Sequence, residues 1–529
     1  MLKHPIRILM TALFVAWAFD FLFWHKSPGI SFAVYVAALL IAGFFLARSE
    51  GKLPARDSLW LLILIILFAI MTTIRLEPMT VFVSVLITLT VLMIFSHTFR
   101  GGRWTSYSLS DFIMVAFRLL KSSLVGAPKI YQNVKQDRED DPDVPQFFSV
   151  KSLLPIFRGI LIALPVVIIF AALLSSADPI FSNQLGRLLK YFNLKILFEF
   201  LFRGIYILIL AYALMGIYLY ALSASKDENL IGVDKPWLRP FLGFTEAAII
   251  LGSVNLLFIA FVVIQFQYFF GGSANINYEG FTYAEYARRG FGELVVVAFL
   301  SLLLFLGLSS VTQRETPLFR KVYSGLGVLL GLLIGVILVS AFQRLLLYES
   351  AFGFTRLRIY PHIFMVWLGI LLIIFIGLEI AGHQRAFGLV LLAACVGFGL
   401  TLGLLNVDGL IARENVERAV KGKKLDTEYL HTLSVDSTPV LVDLYDSPDL
   451  STELRDEVGM VLACQSAELR REAAAQTWTG FHFSKWRARR MLENMEEALR
   501  DYPVKIRKED LMVTFNGREY SCEGSWWLD

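Results

Sequence analysis

The residues that could do chemistry gather in two short polar segments, each set between long apolar runs. The first runs from Tyr278-Glu279-Gly280-Phe281 through Thr282-Tyr283-Ala284-Glu285-Tyr286-Ala287-Arg288-Arg289 to Gly290-Phe291-Gly292-Glu293. Glu285, Arg289 and Glu293 fall at i, i+4 and i+8, one face of a helix, where opposite charges can form a ladder. Arg288 then points elsewhere, and Tyr283 and Tyr286 suit the headgroup level of a bilayer. The second segment carries Arg356 and Arg358 just ahead of Tyr360-Pro361-His362. A guanidinium donates two parallel hydrogen bonds to a carboxylate or phosphate, so two of them can clamp an anion. His25 and Lys26 lie in a third short turn near the start of the chain. The candidate ligand-binding set is therefore Tyr283, Glu285, Arg288, Arg289, Glu293, Arg356, Arg358 and His25, and its guest is an anionic or headgroup-like ligand. The competing reading is a closed Glu–Arg network that staples loops to helices, because charge clusters also arise for purely structural reasons.

Nothing in these segments supplies a catalytic set. The chain has no Walker loop, Rossmann glycine set, GxSxG or HExxH, the local patterns that announce common chemistries. Its three cysteines form no CxxC pair and its seven histidines no HxxxH spacing, so neither a metal nor a cofactor is expected. The weight is against an enzyme, although a dispersed triad leaves no local signature.

The polar segments are positioned by about eleven apolar stretches, each long enough to cross the ~30 Å hydrocarbon layer as a helix. Of 529 residues, 56% are hydrophobic and 18% are charged, against about a quarter charged in soluble proteins. The expected spans are 6–24, 30–47, 59–75, 78–96, 153–175, 200–222, 245–270, 291–311, 322–346, 361–381 and 386–405. The basic start and Ala16-Trp17-Ala18 have the grammar of a signal peptide. The apolar run continues through Phe19-Asp20-Phe21-Leu22-Phe23-Trp24, so it reads instead as an uncleaved first span. Segments 107–131 and 181–199 are apolar on one face and basic on the other, the pattern of helices lying on a membrane surface. Net charge is +4 with no basic stripe, which excludes nucleic acid as the expected partner.

With the N-terminus inside, inner segments hold about twice the Lys and Arg of outer ones. The chain then divides into spans 1–4 (1–96), a cytoplasmic segment with an amphipathic helix and an acidic linker (97–152), spans 5–11 (153–405) and an extracytoplasmic tail (406–529). The expected class is an all-α polytopic membrane protein with a mainly helical extracytoplasmic domain ending in a β-hairpin. The hairpin is signalled by Asn516-Gly517 between alternating residues. Tail helices are expected at 410–420, 426–447, 451–475 and 484–500. Cys464 and Cys522 either pair, as an oxidising compartment allows, or remain free thiols.

Ionisable residues inside spans cost several kcal/mol and normally face protein or water. Asp20, Arg158, Arg203, Glu246, Glu293 and Glu379 make up that set, with Asn255, Gln265 and Gln267 as uncharged polar additions. Each reads as an ion pair or hydrogen bond between helices, a side chain snorkelling to the surface, or a functional group. Gly327, Gly331 and Gly335, and Gly399 and Gly403, recur every four residues, which lets helices approach closely, within the chain or at a dimer seam.

The strings HKSPGISF, FTYAEYARRGFGEL, YESAFGFTRLRIYPHIFM and NVDGLIARENVERA resemble a family of prokaryotic polytopic membrane proteins known only as domains of unknown function, of the 4173 and 4153 type. The resemblance runs over about residues 10 to 445. It implies a prokaryotic inner membrane and brings no activity with it. Three function classes remain: an outward-facing binding, sensing or scaffold protein; a transporter of a small or lipid-like solute; and a membrane enzyme acting on a lipid-linked or anionic substrate. Charges at the outer interface rather than at midplane favour the first or third, and the first is the best reading. Its partners would be membrane lipids, the anionic or headgroup-like ligand, and an extracytoplasmic protein met through the tail.

Overall fold

The computed structural model describes residues 4–26, 28–140, 194–225, 240–270, 291–313, 316–473, 477–507 and 510–522, with scattered positions between 163 and 184. Among the described residues, ten helices are long and apolar enough to cross a membrane. They are α1 (Pro5–Phe23), α2 (Ile30–Ser49), α3 (Arg56–Ile74), α4 (Pro78–Thr98), α6 (Leu194–Ser223), α7 (Phe244–Phe270), α8 (Phe291–Val311), α9 (Pro317–Phe352), α10 (Arg356–Ala381) and α11 (Phe387–Leu405). Between α4 and α6 lies the long amphipathic helix α5 (Leu109–Asp140). Most of the expected span 153–175 and of the segment 181–199 lies outside the described residues.

Lipid offers no partner for a backbone N–H or C=O, so apolar stretches this long must close their own hydrogen bonds as helices. Local residues set the ends. Proline stands in the first turn of α1, α4 and α9, where its missing N–H costs nothing. Glu77 caps α4 by accepting from the N–H groups of Met79 and Thr80, both at 2.7 Å. Gly382, with φ of 70°, ends α10 in the left-handed conformation.

The chain forms two compact units. In the first (1–24, 38–53 and 119–223), α1 packs along α6. Buried Asp20 accepts Arg203 Nε at 2.9 Å and the Tyr206 hydroxyl. The ion-pair reading thus holds for Asp20 and Arg203. In the same unit the later part of α5 crosses α6: Ser122 Oγ donates to Gly216 O at 2.9 Å. A Cβ at Gly216 would lie 2.3 Å from the Ser122 oxygen, so only glycine permits the crossing.

In the second unit, helices adjoin in the order α3, α4, α11, α10 and α9, with α7 and α8 both against α9. Phe305, Tyr323, Leu330, Ile334, Ile337, Leu345 and Phe375 form the centre of its apolar core. Four of the five stripe glycines serve this packing, and Gly335 faces open space. A Cβ on Gly327 would meet the Phe305 ring at 2.2 Å, one on Gly399 would meet Ile87, and one on Gly403 would meet Met71. The polar additions also tie helices together: Asn255 Nδ2 donates to Leu326 O at 3.1 Å, and Gln265 Oε1 accepts from Arg344 at 2.9 Å and Ser340 at 3.2 Å. Glu379 takes Gln384 Nε2 at 2.6 Å and the Ser324 hydroxyl, and Glu246 Oε2 takes the Gly243 N–H at 2.7 Å.

The tail belongs to this second unit. It comprises α12 (Val407–Val420), α13 (Thr427–His431), α14 (Thr438–Tyr445), α15 (Thr452–Ala473), α16 (Phe483–Asn494) and strands β1 (Val504–Arg507), β2 (Asp510–Phe515) and β3 (Arg518–Ser521). The helix expected over 426–447 is broken in two. Ser434 turns its side chain onto the Asp436 N–H, a 3₁₀ turn follows, and Pro439 restarts the chain as α14. The hairpin is present, with Asn516 and Gly517 at φ of 49° and 77°, the left-handed pair a tight two-residue turn needs. A third strand, β1, pairs antiparallel with β2 through Val504↔Val513; nothing in its sequence pattern announced it. Cys464 of α15 and Cys522 form a disulfide. Leu430, Leu433, Leu441, Val458 and Leu462 are buried as the tail core.

The Gly327 contact gives a packing prediction. Gly327→Val should lower thermal stability in detergent by about 1–3 kcal/mol, the usual range for overpacking. Adding Phe305→Leu, which clears the ring from that space, should recover part of the loss. An unchanged melting temperature for the single variant would refute the close approach.

Candidate functional site

Of the residues expected to bind a ligand, Tyr283, Glu285, Arg288 and Arg289 lie outside the described residues. Glu293 stands exposed in the first turn of α8. His25 occupies the turn after α1 with φ of 51°. Arg356 and Arg358 open α10 and turn to different partners. Arg356 Nε and Nη2 donate to the two oxygens of Asp408 at 2.7 and 2.6 Å, a fork-on-fork pair. Arg358 Nη1 donates to Gly353 O at 2.7 Å, and its guanidinium lies 4.3 Å over the Tyr348 ring. One arginine therefore grips the tail, and the other braces the turn between α9 and α10.

The Arg356–Asp408 pair is part of a larger joint between span ends and tail. Asp408, fully buried, also accepts the Ser434 N–H at 2.8 Å. Tyr429 of α13 accepts the Arg356 backbone N–H at 2.7 Å. Asp436 Oδ2 accepts the N–H groups of Leu76 and Glu77 at 2.7 and 3.0 Å, and Oδ1 accepts the Ser484 hydroxyl. Glu77 is itself buried and accepts the Tyr360 hydroxyl from α10. Asn406 Nδ2 donates to Asp436 O at 2.8 Å, and Arg75 Nε donates to Gly403 O at 2.8 Å. Every carboxylate in this joint has several donors. No cluster of three or more His, Cys, Asp or Glu that could hold a metal occurs among the described residues.

Burial shifts the tail's titratable groups in opposite senses. It pushes the Asp436 carboxyl upward, against the downward pull of Ser484 and Leu76. It pulls His431 and His482 each down from 6.5 to about 4, with Lys485 adding to the effect on His482. His482 sits one residue after the chain's contact with α2, since Ile30 N donates to Phe481 O at 2.9 Å.

Away from the joint the tail carries a groove of about 640 Å³ between α15, the turn at 498–501 and the sheet. Ala463, Ala467, Leu499 and Leu511 contribute apolar lining, and Arg470, Arg471 and Arg500 stand at it with Glu496 as the sole acid among the described residues. Arg470 pairs with Glu496 at 3.0 Å, both exposed. The disulfide at Cys464 starts from the same stretch of α15.

The profile of the family described as a domain of unknown function (DUF4153) matches residues 62–444, well over half of the chain. The chain belongs to this family. Its matched region takes in the whole joint except Ser484, because Glu77, Arg356, Tyr360, Asp408, Tyr429 and Asp436 all fall within it. The comparisons with curated proteins and with solved structures yield no match.

Sequence reasoning passed over Glu77, Arg344, Asp408, Asp436 and Ser484. Glu77 had a signal in Glu77-Pro78-Met79-Thr80, the order of a helix cap. Asp408 and Asp436 sit in Asn406-Val407-Asp408-Gly409 and Ser434-Val435-Asp436-Ser437, where short polar residues flank helix starts. Arg344 lies inside an expected span and belongs with the other costly charges.

Two outcomes follow. Arg356→Ala strands a buried carboxylate, so it should cost about 3–5 kcal/mol, as broken buried pairs do. Arg356→Ala with Asp408→Ala should cost clearly less than the sum of the two single variants, measured by thermal or urea melting of the whole chain. For pH, an unfolded histidine takes its proton below 6.5, whereas folded His431 and His482 wait until about 4. Their contribution to stability is therefore lost as pH falls from about 6.5 to about 4. Asp436 has the opposite sign, because its folded form binds a proton more readily than the unfolded form. The stability difference between wild type and His482→Gln should thus shift in favour of the variant across that window; a pH-independent difference would contradict the neutral buried ring.

Proposed function

We propose that the chain is an outward-facing scaffold or binding protein of the inner membrane, with its N-terminus in the cytoplasm and its tail outside. On this reading the spans anchor the tail, and the tail's groove takes an acidic, partly apolar segment of an extracytoplasmic protein. The joint carries the reading. Arg356, Leu76 and Glu77 at span ends donate hydrogen bonds to Asp408 and Asp436 of the tail. A domain fastened this firmly is displayed in one orientation, which suits recognition of a partner.

Three further observations support it. The loop charge bias favours an outside tail. The Cys464–Cys522 disulfide is of a kind that persists in oxidising compartments. The groove sets three arginines around apolar lining with one acid, and opposite charge on a partner would steer and select it. Of the two polar residues a transporter would use near the midplane, Asn255 donates to Leu326 O as a helix tie, and Arg158 lies outside the described residues.

The test is made in living cells. A reporter active only in the cytoplasm, fused after Asp529, is expected to stay silent, and one active only outside to report. A photoreactive residue in place of Ser466, which lines the groove, should give an adduct of one discrete size. Arg470→Glu with Arg500→Glu should abolish that adduct. A cytoplasmic signal would overturn the orientation; an absent or charge-insensitive adduct would overturn the groove as a docking site.

A further inference from the structure

The start of α16 is held at the level of two span ends. Phe481 O accepts the N–H of Ile30, the first residue of α2, at 2.9 Å. The Ser484 hydroxyl, shared with Asp436, lies within hydrogen-bond distance of the carbonyl of Ile74, the last residue of α3. The approach is close enough to require glycine at position 29, since a Cβ there would lie 2.6 Å from the Phe481 oxygen. Residues 481–484 are thereby placed where the apolar runs of α2 and α3 stop, which is the boundary between hydrocarbon and headgroups.

From that level α16 presents two unlike faces. Ser484, Ala488 and Leu492 are buried, at i, i+4 and i+8. Phe483, Trp486, Arg487 and Arg490 are exposed at i, i+3, i+4 and i+7, one continuous stripe. The Phe483 and Trp486 rings lie 5.5 Å apart, and the Arg490 guanidinium sits 4.5 Å from the Trp486 ring. Trp478 and Phe481, just before the helix, are exposed as well, Trp478 by 59%. Four large aromatic side chains open to the surroundings within 478–486 form an apolar patch, and such patches mark interaction sites. Tryptophan with arginine is the combination found at bilayer interfaces, where the ring sits among headgroups and the guanidinium reaches phosphate oxygens.

We propose that this stripe is a binding surface for anionic lipid, lying in the headgroup layer on the tail's side of the membrane. Trp486 and Phe483 enter the interface, and Arg487 and Arg490 donate to the phosphates. Trp486 holds Arg490 in place by its ring face, so the cation is positioned before the lipid arrives. The proposal rests on the span-end contacts and on the stripe; it stands whether or not the groove near Arg470 binds a protein.

The test reads Trp486 in the full chain, reconstituted in nanodiscs of phosphatidylcholine with or without phosphatidylglycerol. The chain has ten tryptophans, so the Trp486 signal is the emission of wild type minus that of Trp486→Phe. Lipids brominated near the headgroup end of the acyl chain should quench this difference more strongly than lipids brominated near its terminus. Phosphatidylglycerol should deepen the quenching. Arg487→Gln with Arg490→Gln should remove the deepening, while Arg487→Lys with Arg490→Lys, which keeps both charges, should retain it. Difference emission that neither brominated lipid touches would overturn the proposal, because the face would then meet water or a protein. Quenching indifferent to phosphatidylglycerol would overturn the recognition of anionic lipid.

Discussion

A carboxylate taken out of water must be met by donors, and of the three in the joint, two are met across the boundary between spans and tail. Removing an ion from water costs several kcal/mol even after relaxation. Asp408 is met by both ends of the Arg356 fork and a backbone N–H. Asp436 is met by two backbone N–H groups from the turn between α3 and α4. Glu77 is met by the first turn of its own helix and by Tyr360 of α10. The donors to Asp408 and Asp436 are far away in sequence. Neither side can withdraw without leaving buried charge behind, so the joint forms as a whole or not at all.

That constraint organises the second unit. The turn from α3 to α4, the start of α10 and the end of α11 all contribute atoms to the joint. The tail therefore caps the helices that form the row α3, α4, α11, α10. Within the row the packing is close enough to require glycine where Ile87 and Met71 press in. Rigid helices below and a bonded cap above leave few ways for the tail to turn relative to these span ends. The buried histidines sharpen the point. His482 stays neutral beside the contact with α2, and charging it would place a cation among groups already committed.

Much of this was legible in the sequence, and the rest was not for identifiable reasons. Span positions follow from apolar length, and the Asn516-Gly517 turn follows from backbone sterics, so both could be read directly. Asp20 and Arg203 were recognisable as costly, and their pairing took only the packing of α1 on α6 to reveal it. Arg356 was singled out because its guanidinium fork suits an anionic partner. Its partner Asp408 was not, since the two are joined only when α10 and α12 meet in space. Asp436 and Ser484 were hidden for the same reason. Their roles depend on contacts hundreds of residues away, and short polar residues at helix starts look ordinary in a one-dimensional pattern. Strand β1 was missed because Val504-Lys505-Ile506-Arg507 is too short to carry a period.

The distribution of satisfied and unsatisfied charge bears on what such a molecule can do. Among the described residues inside the spans, Asp20 is tied to Arg203, Arg344 to Gln265, and Glu379 to Ser324 and Gln384. A polar group already committed to a helix tie must break it before it can bind a solute, and in hydrocarbon that break has no water to soften it. The joint is committed in the same way. Arginines at the tail groove and on the stripe of α16 differ. Arg470 has only an exposed pair, which contributes little, and Arg487 and Arg490 point away from the buried face. Cations held at low cost on a rigid body can exchange partners without disturbing the fold. Exchange of partners is thus cheapest at the tail's surface and dearest within the spans.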